Sequence, residues 1–390
     1  MRHFDFLSDD DRQRLFLRAP EPFDLDCDLP VIATGLGATL YCPATRPTLA
    51  VDLARRSAEG VTSFVVCLED SVADGDVPMA EINVVTQLES YAAAIEGRAD
   101  RPAMVFVRVR TAEQIRLVSD RIGTAHDVLT GFVLPKFTDE SGRDALEAVV
   151  AASERLGRRL YAMPVLESPE MIFAESRTES LLAARRLVDK YRETVLAVRI
   201  GATDLSAAYG LRRARDLTTY DVRVLAQVIG DIVNVFGRAD GSGYVITGPV
   251  WEYFANAERL FKPQLRLSPF VEHDERRLRV ELIANDLDGL IREVALDRAN
   301  GLVGKSVIHP SHVAAVHALS VVTHEEYADA SDVLSAGSSA GAAASAFGNK
   351  MNESKPHTGW AQRTLLRAAA FGVARESVSF VDLLGAGLQR

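Results

Sequence analysis

Six times along this 390-residue chain a short apolar run rich in β-branched residues ends on a charged or ionisable side chain. The run 64–68 precedes Glu69 and Asp70, 105–107 precedes Arg108, and 132–135 precedes Lys136. The run 162–166 precedes Glu167, 196–200 leads to Asp204, and 307–308 precedes His309. A sheet with one wet face would alternate polar and apolar residues, whereas continuous apolar strands separated by helical segments imply a parallel sheet buried on both faces. Ionisable residues kept to strand exits converge on one rim, and in a (β/α)8 TIM barrel that rim carries the active site.

The same alternation runs through most of the chain. Thr39–Cys42 reads as the first strand, ended by Pro43, which cannot donate to a ladder. Thr48 stands at the N-cap of a helix through Ala58 that Gly60 closes. Strands are predicted at 63–70, 104–110, 131–136, 160–167, 195–201, 243–247 and 304–308, with helices at 77–96, 112–122, 139–156, 178–192, 219–236 and 276–299. Eight strands with right-handed crossovers close into a barrel over 38–320. Residues 1–37, charged and without period, read as an N-terminal arm. Residues 249–275 are too long for an ordinary loop and read as an insertion over the rim or an oligomer contact. Residues 321–390 read as a C-terminal helical lid, exchanged arm or oligomerisation segment. Its helices are expected at 325–335 and 360–370, joined by a small-residue stretch, 336–345, that is either packed or a hinge.

Composition excludes some partners. A formal charge of -10 argues against nucleic acid, which rewards a basic stripe. Cys27, Cys42 and Cys67 lack metal or redox spacing, and the last two fall in strands, so they read as reduced residues of a cytoplasmic protein. No apolar run reaches the roughly 18 residues of a membrane span, and the acidic start is wrong for a signal peptide.

Seven motifs occur at strand exits, in order: Tyr41-Cys42-Pro43-Ala44-Thr45-Arg46-Pro47, Leu68-Glu69-Asp70-Ser71-Val72, Val107-Arg108-Val109, Leu134-Pro135-Lys136, Leu166-Glu167-Ser168-Pro169, Ile200-Gly201-Ala202-Thr203-Asp204-Leu205-Ser206 and Gly304-Lys305-Ser306-Val307-Ile308-His309-Pro310. From about Leu40 to Val373 the chain resembles the HpcH/HpaI aldolase and citrate lyase β-subunit-like family of Mg-dependent carbon-carbon lyases, in a divergent branch. The resemblance implies cleavage or formation of a bond next to a carbonyl in an oxo acid or acyl thioester, with coenzyme A as the carrier in some members. It also implies a homo-oligomer, trimer or hexamer.

Under that resemblance Glu167 and Asp204 are the Mg²⁺ ligands, hard oxygens that suit an octahedral ion. Arg108 grips a substrate carboxylate or enolate oxygen with its planar fork, and Glu69 and Asp70 support it. Lys136 fixes a phosphate, a carboxylate or Glu167, with an ion pair inside the barrel as the plainer reading and an imine role disfavoured. Arg46 and Arg55 are candidates for coenzyme A phosphates. Glu353 stands where many members carry an aspartate that a neighbouring subunit delivers as general acid or base. His309 reads as structural, and His312 and His317 as surface residues. Departures from the family pattern are Cys67 in place of an aspartate, Ala44 in place of glycine, and a longer tail motif. Two other readings remain: a thioester hydrolase or free oxo-acid aldolase, and a non-catalytic barrel that binds a metal or metabolite.

Overall fold

The computed structural model describes residues 1–97, 103–254, 287–337 and 341–388. Eight parallel strands close into a barrel: β1 (Ala38–Pro43), β2 (Ser63–Cys67), β3 (Met104–Arg108), β4 (Leu129–Leu134), β5 (Tyr161–Leu166), β6 (Val198–Ile200), β7 (Ile246–Trp251) and β8 (Lys305–Val307). They pair in chain order, and β8 returns to β1 through Ala38 opposite Lys305. Helices cover the outside: α1 (Leu49–Ala58), α2 (Val77–Ile95), α3 (Ala112–Arg121), α4 (Ser141–Leu156), α5 (Arg177–Lys190), α6 (Arg223–Phe236), α7 (Leu287–Ala299) and α8 (Ser311–Ser320).

The unbroken apolar runs are explained by two separate cores. Phe64, Val66, Val105, Val107, Phe132 and Leu134 pack outward under the helices. Their alternates Val65, Met104, Phe106, Val133, Tyr161 and Met163 fill the barrel. The strand period of two is present, but both faces are dry, so the sequence shows no alternation.

The N-terminal segment is more than an arm. Helix Leu29–Gly35 leads into β1, and Phe23, Ile32, Ala33 and Leu36 join the interior core, plugging the N-terminal end of the barrel. Tyr161 Oη donates to Leu25 O at 3.1 Å. His3 is fully buried there, stacked on Phe371 at 4.2 Å, and its Nε2 lies 3.0 Å from Gly35 O.

The tail also packs at that end. Helix His324–Ala336 starts with a capping box between Thr323 and Glu326, and helix Ser354–Phe371 lies against Leu29–Gly35. Phe16–Arg18 pairs antiparallel with Val373–Ala374, tying the two termini together. The described tail is therefore an arm on the N-terminal end of its own barrel. Of the small-residue stretch, Ala342–Ala344 pairs with Met351–Glu353 in a two-stranded ladder, and 338–340 lie outside the described residues.

Four further local expectations change. The seventh strand runs to Trp251, so 249–251 belong to the barrel, and the rest of the expected insertion from 255, with the start of the 276–299 helix, lies outside the described residues. Helix α6 begins at Arg223, because Asp221 accepts from the Thr218 N–H and hydroxyl, both at 2.8 Å, in a turn before it. Thr48 occupies the N-cap position of α1, but its hydroxyl donates to Asp52 at 3.0 Å. His312 and His317 are buried, not surface residues: His312 Nε2 lies 3.0 Å from Tyr253 O, and His317 Nε2 accepts from Ala38 N at 3.1 Å.

Candidate active site

The strand exits converge as the sequence implies. A cavity of about 360 Å³ opens at the C-terminal rim, lined by residues of β1, β2, β3, β5, β6, β7 and β8 and the loops that follow them. Arg108, Asp70, Glu167 and Asp204 all face it.

Arg108 is the hub. Its Nη2 donates to Asp70 at 3.1 Å and Glu167 at 3.0 Å and forms an ion pair with Glu69 at 2.7 Å. Burial opposes the guanidinium charge, but Glu167, Tyr41 and Glu69 outweigh it and hold its pKa above the ordinary arginine range. Its Nε is buried without a hydrogen-bond partner among the described residues.

Glu167 directly follows β5 and is 3% exposed. One oxygen takes the Arg108 guanidinium and, at 3.0 Å, the backbone N–H of Lys136. The other lies so close to Gly201 that a Cβ there would stand 1.8 Å from it. Only glycine leaves space for that carboxylate. Burial and the neighbouring Asp204 push the Glu167 carboxyl up to about 8, against the pull of Arg108. Asp204 lies in the first turn of a short helix, Ala202–Ala207, that follows β6 directly.

Beside the main cavity, Glu69, Asp74, Arg110 and Lys136 line a second hollow of about 400 Å³ that Asp70 also borders. The Lys136 ammonium pairs with Glu69 and reaches Asp70 at 3.5 Å, so the ion-pair reading holds, with Glu69 as partner in place of Glu167. Burial disfavours the ammonium, but Glu69 and Asp70 dominate and raise its pKa, the wrong direction for an imine-forming amine. Burial and the Asp70 carboxyl push Glu69 above its usual range. Burial would raise Asp70 as well, but Glu69, Arg108 and Lys136 hold it below. Lys136 adopts φ +46°, uncommon outside glycine, which turns its N–H toward Glu167 while its side chain leaves for Glu69.

Other expected site residues stand apart. Arg46 and Arg55 both bind Asp52, Arg55 at 2.7 Å, and neither lines the cavity. Glu353 is exposed at the end of the tail ladder, with its backbone N–H donated to His357 Nδ1 at 3.1 Å, and the cavity of its own chain does not include it. His309 stacks on Phe254 at 4.8 Å and lies 2.7 Å from Ser311 Oγ. Cys42 and Cys67 are free thiols on the cavity wall.

The sequence reading missed Gly201 as the seat of Glu167, and it missed Arg199. That arginine was counted within an apolar run, yet its side chain enters the barrel and lines the cavity floor. The available signal was a lone charge in the middle of an otherwise apolar strand.

Glu167 and Asp204 suit a hard divalent ion. Their mutual repulsion in a buried setting is what a cation between them would relieve. Among the described residues no group of three or more His, Cys, Asp or Glu side chains is gathered for a metal, so a pair is what the protein offers. Mg²⁺ commonly takes one or two carboxylates and fills its other positions with water and substrate oxygens.

The folds of several known proteins are similar. A citrate lyase from Burkholderia xenovorans LB400 aligns at 16% identity and TM-score 0.56, over 93% of this chain and 97% of its own. Haloferax volcanii malate synthase aligns at 14% identity and TM-score 0.50, over 76% of each chain. CitE from Mycobacterium tuberculosis, solved with magnesium, acetoacetate and coenzyme A, aligns at 22% identity and TM-score 0.49, over 85% of this chain and 97% of its own. No curated protein sequence matches significantly. Residues 30–373 match the carbon-carbon bond lyases of the TIM-barrel fold, a span that takes in every barrel strand and the rim carboxylates. The chain belongs to that carbon-carbon bond lyase family.

Proposed function

We propose that this lyase is Mg²⁺-dependent and makes or breaks the bond next to the carbonyl of an oxo acid, at the rim cavity. The observation that carries this reading is the meeting of Glu167, Asp204 and Arg108 on one cavity at the strand exits. Glu167 and Asp204 would hold the ion, which when bound polarises a carbonyl and orients the acid beside it.

The chain's own residues divide the remaining work. Arg108 neutralises negative charge that develops on a substrate oxygen, and its unpartnered Nε is a spare donor for that purpose. Glu69 and Asp70 hold the guanidinium in place, and Lys136 in turn holds Glu69. Rotation of Arg108 toward solvent would leave those carboxylates uncompensated, so the ion pairs also keep it aimed inward. The apolar wall of Val165, Ile200 and Val250 limits water near the reacting carbon. Glu353 supplies or removes the proton from a second copy of the chain, the homo-oligomer being part of the same reading.

An acyl-coenzyme A substrate is a second reading, favoured by the exposure of Arg46 and Arg55 beside the exit of β1. Heat stabilisation by coenzyme A alone supports it, and stabilisation by small oxo acids alone removes it. The central test is calorimetric titration of the protein with pyruvate or glyoxylate, with and without Mg²⁺. Binding should require the metal in the wild type and be lost in Glu167→Gln and Asp204→Asn. Metal-independent binding, or equal binding by the variants, would sink the reading.

A further inference from the structure

Among the described residues, buried lysine and arginine side chains of this barrel meet carboxylates, with one exception. Among the described residues Arg177 pairs with Asp231 at 2.8 Å, Arg213 with Glu293 at 2.5 Å, and Lys305 with Glu293 and Asp297 at 2.9 and 2.7 Å. Arg199, in the middle of β6 and 1% exposed, meets none. Its contacts are neutral: Nη2 donates to Ser306 Oγ at 2.6 Å, while Nη1 lies 3.5 Å from Thr39 Oγ1 and 3.7 Å from Met163 Sδ. The guanidinium sits over the Tyr41 ring at 5.5 Å, and its Nε has no partner.

Burying a guanidinium without a counter-ion is costly, and the barrel floor elsewhere is filled with apolar side chains that would pack there at no such penalty. What distinguishes this position is the cavity. Arg199, Tyr41 and Ser306 line the same hollow as Glu167 and Asp204. Arg108, whose Nη2 is already shared by three carboxylates, has only its Nε left for the end of the substrate beside Glu167, so a distal carboxylate would need another cation. A planar fork with no carboxylate partner and an unsatisfied Nε, held by Ser306 on the cavity lining, is suited to a carboxylate.

We propose that Arg199 binds a second carboxylate of the substrate, so that the oxo acid handled here is a diacid: one end at Glu167, Asp204 and Arg108, the other on Arg199. This rests on the function proposed above and adds its substrate class. Val165 and Ile200 line the same cavity and offer apolar surface to a short methylene chain.

The test compares acids that differ only in the distal group, oxaloacetate with 2-oxobutyrate and 2-oxoglutarate with 2-oxovalerate, titrated calorimetrically into Mg²⁺-loaded full-length protein. In at least one pair the wild type should bind the diacid about ten-fold tighter or more, the usual worth of a charged hydrogen bond. Arg199→Met should bind both members alike, with the monoacid unchanged. Arg199→Lys keeps the charge without the fork, gives a reading even where the Met variant does not fold, and should weaken the diacid while sparing the monoacid. No diacid preference in the wild type, or a full preference retained in either variant, overturns the inference. Failure of the underlying function reads differently: Glu167→Gln would then bind the monoacids as the wild type does, whatever Arg199 contributes.

Discussion

At the scale of single residues, the site depends on space as much as on charge. Gly201 has an ordinary backbone angle, so its role is steric: any side chain would collide with the carboxylate of Glu167. Gly201→Ala should therefore lower turnover, or Mg²⁺-dependent oxo-acid binding, at least ten-fold, a loss of about 1.4 kcal/mol or more. Circular dichroism should still report a folded barrel, and unchanged binding would disprove the steric account. Arg108→Lys tests the hub. A lysine keeps the charge but cannot reach Glu69, Asp70 and Glu167 with one planar group, so binding should fall about ten-fold or more although the net charge is the same.

At the scale of elements, the N-terminal plug couples the barrel floor to pH. Burial lowers the His3 pKa to about 4, against the raising effect of its hydrogen bond to Gly35. A histidine whose folded pKa lies below its unfolded value of about 6.5 leaves the unfolded chain binding more protons between the two values. Its stabilisation is thus fully present above pH 6.5 and is lost as pH falls toward 4, with a magnitude of ~3 kcal/mol. Thermal melts from pH 7 to 4 should show that decline, and His3→Gln, which keeps a donor for Gly35 O, should show a shallower one. The plug itself is tested by Phe23→Ala, which opens a hole beneath the interior core and should cost about 3 kcal/mol in a denaturant melt.

At the scale of the whole molecule, the tail lies against the N-terminal end of the barrel, and Glu353 is not part of the cavity in its own chain. A catalytic Glu353 then requires a second copy. Glu353→Gln and Glu167→Gln should each be inactive alone and regain activity when unfolded and refolded together, because a mixed assembly contains some sites with both intact groups. Equal inactivity of the mixture, or a fully active Glu353→Gln, would remove Glu353 from the reaction. No helix among the described residues is long and apolar enough to cross a membrane.

How much was legible in the sequence follows from which interactions are local. The apolar runs fixed the strands because a segment dry on both faces has few other stable forms, and their ionisable ends marked the rim since a strand exit hosts charge at less cost than a strand interior. Thus Glu69, Asp70, Arg108, Glu167 and Asp204 were identifiable in advance, and the barrel brings them together. The start of α6 was not, because a turn built on Asp221 competes with helix locally. Partners contributed by distant strands were equally hidden. Nothing near Lys136 in sequence says that its ammonium prefers Glu69, nor that Gly201 exists to seat Glu167, nor that Arg199 is left without a carboxylate. The sequence by itself determined the barrel and the chemical character of its rim, since periodicity and side-chain type are properties of short segments. Only the tertiary structure decided which charges are neutralised and which remain free for a ligand, since that depends on distances across a closed barrel that no linear spacing encodes.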